Sequence, residues 1–207
     1  MKESWYDRNI LPWLLDLACG IKPVRYQRAK VVPRAFGHVL EIGIGTGLNA
    51  EHYDTAKVHT IVGLDPAMRM HHLARKRIAA AGLKVELVGL SAERIPYDDA
   101  TFDSVLMTYT LCSIPDPVAA LKEMRRVLKP KGHLVFCEHG RAPDMSVHRW
   151  QNRLTPYWRK IAGGCHLNRD IPQLLDAGGF ACEHIETMYL PGPRPLTYNY
   201  WGVARPA

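Results

Sequence analysis

No Cys-x-x-Cys pair occurs in this chain, and its cysteines, Cys19, Cys112, Cys137, Cys165 and Cys182, are odd in number and widely spaced. That excludes a disulfide framework and a zinc knuckle, and it points to a reducing cytosol. No apolar run approaches the ~18 residues that a membrane span requires. A secretory signal is missing too, because Glu3 and Asp7 precede the first apolar stretch and Pro12 and Asp16 interrupt it. Nothing repeats internally, no segment is of low complexity, and no feature sets an oligomeric state. The net charge is +7, yet no strand carries an aromatic-basic stripe. Lys22, Arg25, Arg28, Lys30 and Arg34 crowd one segment without an acid, and elsewhere the signs are mixed, so nucleic acid is not the expected partner. With 207 residues, 47% of them hydrophobic, the chain suffices for one substantial core, and a single domain over 1–207 is the economical reading.

What the chain does have is Glu41-Ile42-Gly43-Ile44-Gly45-Thr46-Gly47, entered from His38-Val39-Leu40 and followed by Asp65 after Thr60-Ile61-Val62-Gly63-Leu64. An apolar run ending in an acid and then Gly-x-Gly-x-Gly describes a buried parallel strand turning sharply into a helix. The glycines leave no side chain between backbone and ligand, as a nucleoside cofactor requires. A dinucleotide fingerprint wants glycine at 43, 45 and 48, but position 48 is Leu and the third glycine is Gly47. Nothing on S-adenosylmethionine (SAM) resembles a pyrophosphate, so the loop need only pass beneath ribose and methionine. Glu41 is then free to face the cofactor's ammonium directly or through water, whereas it would repel a pyrophosphate. The spacing favours SAM over NAD. Asp65 stands about twenty residues on, where an acid chelates ribose hydroxyls in doubly wound sheets.

The rest alternates. Strand 37–42 leads to a helix from about 47, and strand 58–65 to a helix over 67–81 closed by Gly82. Strand 83–88, a loop through Pro96, strand 102–109 and a helix from Asp116 to Leu128 follow, the last with Val118, Leu121, Met124, Val127 and Leu128 on one apolar face. Strand 132–138 precedes an irregular stretch over 139–167, a short helix near 169–177, and strands 180–188 and 197–204. This pattern implies an α/β fold with a mostly parallel sheet covered on both faces. At the N-terminus, Trp5, Tyr6, Ile10, Leu11, Trp13, Leu14, Leu15 and Leu17 precede the basic segment. Residues 1–35 read first as a helix packed on the core or a lid over the site, two readings that are compatible, and after these as an interfacial helix peripheral to the inner face of a membrane.

Glu41 to Gly47, Asp65, Ser91-Ala92-Glu93-Arg94-Ile95-Pro96-Tyr97, Phe102-Asp103 and Arg125-Arg126-Val127-Leu128-Lys129-Pro130-Lys131-Gly132 occur in the order of a class I SAM-dependent methyltransferase. The chain resembles that family, in its type 11 group, from end to end. The resemblance implies a Rossmann-like seven-stranded sheet with a C-terminal antiparallel hairpin. It implies cofactor contacts at Glu41, Gly43, Gly45, Gly47, Asp65, Pro66, Met68, Ser91, Ala92 and Thr108, with Asp65 on the ribose, Met68 flanking the adenine, Ser91 and Ala92 at its edge, and Thr108 near the methionine part. The family often has Asp where this chain has Ser91, which weakens recognition of the adenine amino group or moves it to a backbone carbonyl.

Leu111-Cys112-Ser113-Ile114, Glu138-His139, Trp150-Gln151, Pro156-Tyr157-Trp158 and Gly163-Gly164-Cys165-His166-Leu167 together resemble the small methyltransferase-like proteins of animals that methylate thiols, and their bacterial relatives. The animal proteins' N-terminal membrane anchor has no counterpart here. The resemblance implies a small hydrophobic acceptor, a thiol first. N-methylation of a lipid amine, as in bacterial phospholipid N-methyltransferases with a similar loop, and O-methylation of an aromatic hydroxyl remain open. More distant are a nucleotide-dependent oxidoreductase, against which Leu48 and Glu41 stand, and a non-catalytic peripheral membrane protein, against which the intact loop stands.

Methyl transfer from a sulfonium to a thiolate annihilates charge, so a dry apolar pocket accelerates it. Trp5, Trp13, Trp150 and Trp158, with Tyr157, are the expected walls. A free thiol has a pKa of about 8.5, so a base or a positive field helps near neutrality. His139, at the end of strand 132–138, is the candidate base or orienting group, against the reading of a histidine bonded within the insert. Glu138 either steadies that imidazole, meets a cationic acceptor or caps a loop. Cys165 and His166 line the pocket or pack a tight turn, and Cys112 reads as buried filler. His71 and His72 read as surface residues, and no His/Asp/Glu spacing makes a metal site.

Overall fold

The computed structural model describes residues 5–207. Helices α1 (Trp5–Asn9), α2 (Leu11–Cys19) and α3 (Lys22–Val31) precede strands β1 (Gly37–Ile42) and β2 (Val58–Leu64). Helix α4 (His71–Ala80), strands β3 (Val85–Val88) and β4 (Phe102–Thr108), helix α5 (Pro117–Val127) and strand β5 (Leu128–His139) follow. Helices α6 (Met145–Ile161) and α7 (Ile171–Ala177), strand β6 (Phe180–Tyr189), helix α8 (Arg194–Thr197) and strand β7 (Tyr198–Pro206) complete the chain. The seven strands form one sheet in the order β3-β2-β1-β4-β5-β7-β6. Pairing is parallel from β3 to β5, and β7 runs antiparallel to both β5 and β6. This is the expected Rossmann-like sheet with its C-terminal hairpin.

The central strands are continuous apolar runs because both their faces are covered. Val39, Leu40 and Ile42 of β1 and Val105, Leu106 and Met107 of β4 are fully buried. On one face lies α5, started by the Asp116 side chain, which accepts from Ala119 N at 2.9 Å, and by Pro117 in the first turn. Its Leu121, Met124 and Val127 are buried, as its apolar spacing predicts, each contributing roughly 1.5–3 kcal/mol. On the other face, Val31, Val32 and Ala35 from α3 and the turn after it pack with Val39, Leu106, Val135 and Trp201.

Three expectations are corrected. The helix from about 47 is a single 3-10 turn at Ala50–His52. Gly47 sits at φ 79°, with Ala74 so close that a Cβ would meet its Cα at 2.9 Å, and Asn49 and Tyr53 turn inward to bond Glu41. The 139–167 stretch contains the 17-residue helix α6, whose buried stripe is Val147, Gln151 and Thr155. Val147, Trp150, Leu154, Trp158 and Ile161 recur at helical spacing, but Pro156 interrupts the stretch and two of the three buried positions are polar. Gln151 is satisfied by Ala142 N, Gly140 O and Pro195 O. His71 is not a surface residue: it is 4% exposed and close enough to Asp65 to interact with its charge, whereas His72 is exposed. Among the described residues no helix is long and apolar enough to cross a membrane.

Candidate active site

A cavity of about 310 Å³ opens at the C-terminal edge of β1, β2 and β4 and is roofed by α2. Its floor is the glycine loop. Gly43 N donates to Leu64 O at 2.7 Å, and Gly45 N donates to Asp65 Oδ2 at 2.9 Å, which fixes the loop against the end of β2. The glycines do different work. A Cβ on Gly43 would collide with Thr110 at 2.3 Å, and one on Gly47 with Ala74, so both serve packing. A Cβ on Gly45 would meet no protein atom closer than 3.8 Å and would project into open cavity at φ 52°. The space that Gly45 leaves free is therefore part of the cavity. Asp65 lines the cavity with each oxygen accepting one backbone N–H, from Ala67 at 2.7 Å and from Gly45, which leaves lone pairs for a further donor pair. Burial raises its pKa above the usual carboxylate value.

Beneath the loop lies a buried polar network. Arg28 Nη1 donates to Asn49 Oδ1 at 2.7 Å and to Thr108 Oγ1 at 2.6 Å, and Asn49 Nδ2 donates to Glu41 Oε1 at 2.9 Å. Tyr53 OH donates to Glu41 Oε2 at 2.7 Å. Arg28 and Thr108 line the cavity, and Arg28 keeps a buried Nε with no partner. Glu41, expected at the ammonium of the cofactor, does not line the cavity: both its oxygens are taken, and burial raises its pKa. Arg28, one basic residue among five in its segment, carried no individual signal in the sequence. The next residue along β4's exit, Tyr109, lines the same wall at φ 54°, a strained conformation costing about 1–3 kcal/mol that Tyr109 N secures through Cys137 O at 2.8 Å.

Gly43, Gly45, Asp65, Pro66, Ser91, Ala92 and Thr108 line the cavity together. Gly47 and Met68 do not. Met68 is 66% exposed and folds over Gly89, and the 3-10 turn Met68–Met70 delivers Met70 to the cavity instead. The aromatic walls are also corrected: Trp5, Trp13, Trp150 and Tyr157 face solvent, and Trp158, half-buried, lies beside Cys165. The roof is supplied by Leu11, Leu15, Asp16 and Cys19 of α2. Asp16 ties it down, accepting from Thr46 Oγ1 at 2.5 Å and from Arg77 at 2.6 and 3.1 Å.

His139 and Glu138 do not line the cavity. Glu138 Oε1 accepts from Thr110 N at 2.8 Å, capping the loop after β4; Oε2 has no partner, and burial pushes the pKa up to about 8. His139 Nε2 lies 3.2 Å from Cys165 Sγ, and Cys112 Sγ completes a compact group with them. A hydrogen bond from the Cys165 thiol, with positive charge on His139, holds Cys112 well below the ordinary thiol range, and Cys165 is raised correspondingly. His166, half-buried, points Nδ1 at Cys112 O at 3.1 Å, a turn contact and not a cavity contact.

A family model described as "Methyltransferase domain" matches residues 40–136. Thiol S-methyltransferase TMT1B of Homo sapiens is 33% identical over 179 residues, covering 84% of this chain and 71% of that protein. The Rattus norvegicus protein of the same name is 34% identical over 152 residues, covering 72% and 62%. Demethylmenaquinone methyltransferase of Clavibacter sepedonicus is 34% identical over 171 residues, covering 83% and 65%. The chain thus spans about two thirds of the length of these relatives. The crystal structure of N-methyltransferase NodS from Bradyrhizobium japonicum, in complex with S-adenosylhomocysteine, superposes with a TM-score of 0.69 at 18% identity over 96% of this chain and 93% of that one. Its likeness is one of fold. With the glycine loop, Asp65 and the cavity between them, these matches establish that the chain belongs to the SAM-dependent methyltransferases of the type 11 family, an enzyme whose cofactor is SAM.

Proposed function

We propose that this enzyme transfers the methyl group of SAM to the sulfur of a small hydrophobic thiol. Asp65 holds the ribose hydroxyls. The adenine lies against Met70, Leu90, Ser91 and Ala92, and the Arg28 guanidinium meets the methionine carboxylate, since these groups line one cavity. The observation that carries the choice of acceptor is the far end of that cavity. Leu11, Leu15, Tyr109, Ile114 and Pro115 give it a largely apolar lining, and the charged side chain beside it is a cation, Arg28, whose guanidinium lies 5.2 Å over the Tyr109 ring. A cationic amine would need a carboxylate there; Asp16 is spent on Arg77 and Thr46, and Glu138 lies behind the wall. A thiolate meeting a sulfonium loses charge along the reaction, so an apolar, water-poor wall lowers its barrier. The thiol gives its proton to solvent, the thiolate attacks the methyl carbon in line, the new carbon–sulfur bond forms as the sulfonium bond breaks, and S-adenosylhomocysteine leaves.

Labelled SAM offered with a panel of small thiols, primary amines and phenols tests this reading. Label is expected in thioethers; methylation of amines or phenols with thiols left untouched overturns it.

A further inference from the structure

Three sequence motifs that the cofactor cavity does not absorb meet at one point. Cys112 comes from the loop after β4, His139 from the end of β5, and Cys165 from the turn after α6. Their donor atoms lie within 4.8 Å of one another, with Cys165 Sγ 3.2 Å from His139 Nε2. Both cysteines are buried, at 3% and 8% exposure. We propose that Cys112, His139 and Cys165 bind a thiophilic divalent metal ion of the zinc type.

Geometry and ligand chemistry carry the assignment. A tetrahedral zinc ion takes thiolate sulfur at about 2.3 Å and imidazole nitrogen at about 2.0–2.1 Å, which sets donors roughly 3.5–3.8 Å apart. The observed group brackets that spacing, so small side-chain movements bring it into register. Two sulfurs and an imidazole select a soft or borderline ion over magnesium or calcium. The ligand-bearing loops are held independently of any ion. Arg169 donates to the carbonyls of Leu111 and Ile114 on either side of Cys112, at 2.7 Å for Ile114; His166 N donates to Cys112 O at 2.9 Å, and Cys165 N to Ala162 O at 3.1 Å. Binding displaces whatever protons the two sulfurs and the imidazole Nε2 carry, and these leave to solvent. Three protein donors leave a fourth position for a small ligand, as in catalytic zinc sites. Ser113, beside Cys112, and Gly163, two residues before Cys165, line the cavity, so the ion sits in its wall. The site does not depend on which acceptor is methylated.

The test is anaerobic titration of the reduced, metal-free full chain with Co²⁺. An intense sulfur-to-cobalt band in the near ultraviolet, with the visible absorption of a tetrahedral ion, is expected to saturate at a single equivalent and to vanish on adding Zn²⁺. Cys112→Ser and Cys165→Ser should each weaken Co²⁺ binding by roughly 100-fold or more, since even outer-shell changes cost 10–100-fold. Cys182→Ser, at an exposed cysteine, should change nothing. Circular dichroism and S-adenosylhomocysteine binding report whether each variant folds. X-ray absorption of the Zn²⁺-loaded parent, reading two sulfurs and one nitrogen, serves where a variant does not. Absence of the band in the parent, its persistence in the Cys112→Ser/Cys165→Ser double variant, or an all-oxygen and nitrogen shell overturns the proposal.

Discussion

Arg28 shows how a single side chain can join two parts of the chain far apart in sequence. Its Nη1 is shared between Asn49 and Thr108, which anchors the guanidinium inside the protein while Arg28 still lines the cavity. Arg28→Lys keeps the charge but loses the planar fork. The variant should bind S-adenosylhomocysteine at least tenfold more weakly by calorimetry, a loss of about 1.5–3 kcal/mol, the range for a hydrogen bond to a charged group. Parent-like affinity in a folded variant would place the cofactor's carboxylate elsewhere. Gly45→Val tests the cradle in the same assay. Because nothing in the protein occupies the space above Gly45, the loss should appear mainly in cofactor affinity, beyond the strain of a side chain at φ 52°.

Helix α2 has two faces with different tasks. Leu11, Leu15, Asp16 and Cys19 look down into the cavity, while Trp13, Leu14 and Leu17 are exposed, Trp13 to 63%. Leu15→Ala should lower kcat/KM for the acceptor severalfold while cofactor affinity stays within a few-fold, because water enters a wall that the cofactor does not touch. Trp13→Ser should leave both constants unchanged. Steady-state kinetics with calorimetry separates these outcomes; equal losses from the two variants would mean that α2 acts only through packing. The sequence shows the apolar excess of this segment but not its division, since Trp13 and Leu15 differ only in the direction they face. The same limit applies to α6: on its buried stripe Gln151 takes its partners from residues 140, 142 and 195, while Thr155 Oγ1 donates back to Gln151 O.

Two electrostatic consequences belong to the molecule as a whole. Hydrogen bonds from Arg77 hold Asp16 below its ordinary 3.8, and those from Arg126 hold Glu123 below its ordinary 4.5. Each folded pKa lies under the unfolded one, so the unfolded chain binds protons more tightly there. The stability these pairs supply is present above pH ~4–5 and lost as pH falls through the folded values, at about 1 kcal/mol or less for each partly exposed pair. Denaturant titrations between pH 3 and 6 should show this fall, and Arg126→Ala should flatten part of it. Saturating S-adenosylhomocysteine should act in the opposite sense. At a hundredfold excess over its Kd it adds about 2.7 kcal/mol, which raises Tm by roughly 5–10 °C for a chain of this size. Gly45→Val should abolish most of that shift.

By itself the sequence determined the succession of strands and helices along the chain, the sheet class and the cofactor. The reason is that these rest on local chemistry: apolar runs of strand length, an acid and glycines at one spacing, and Asp65 at the end of the next run. Strand ends were legible to within a few residues for the same reason, and α5 was legible because its apolar period and its Asp116 cap lie within one stretch of chain. What only the tertiary structure decided is everything that depends on convergence. The unpaired Nε of Arg28, the turn that substitutes Met70 for Met68, the inward face of α2 and the meeting of Cys112, His139 and Cys165 all require distant segments to be brought together. No spacing along the chain encodes those distances, because they are set by how helices and loops pack on the sheet.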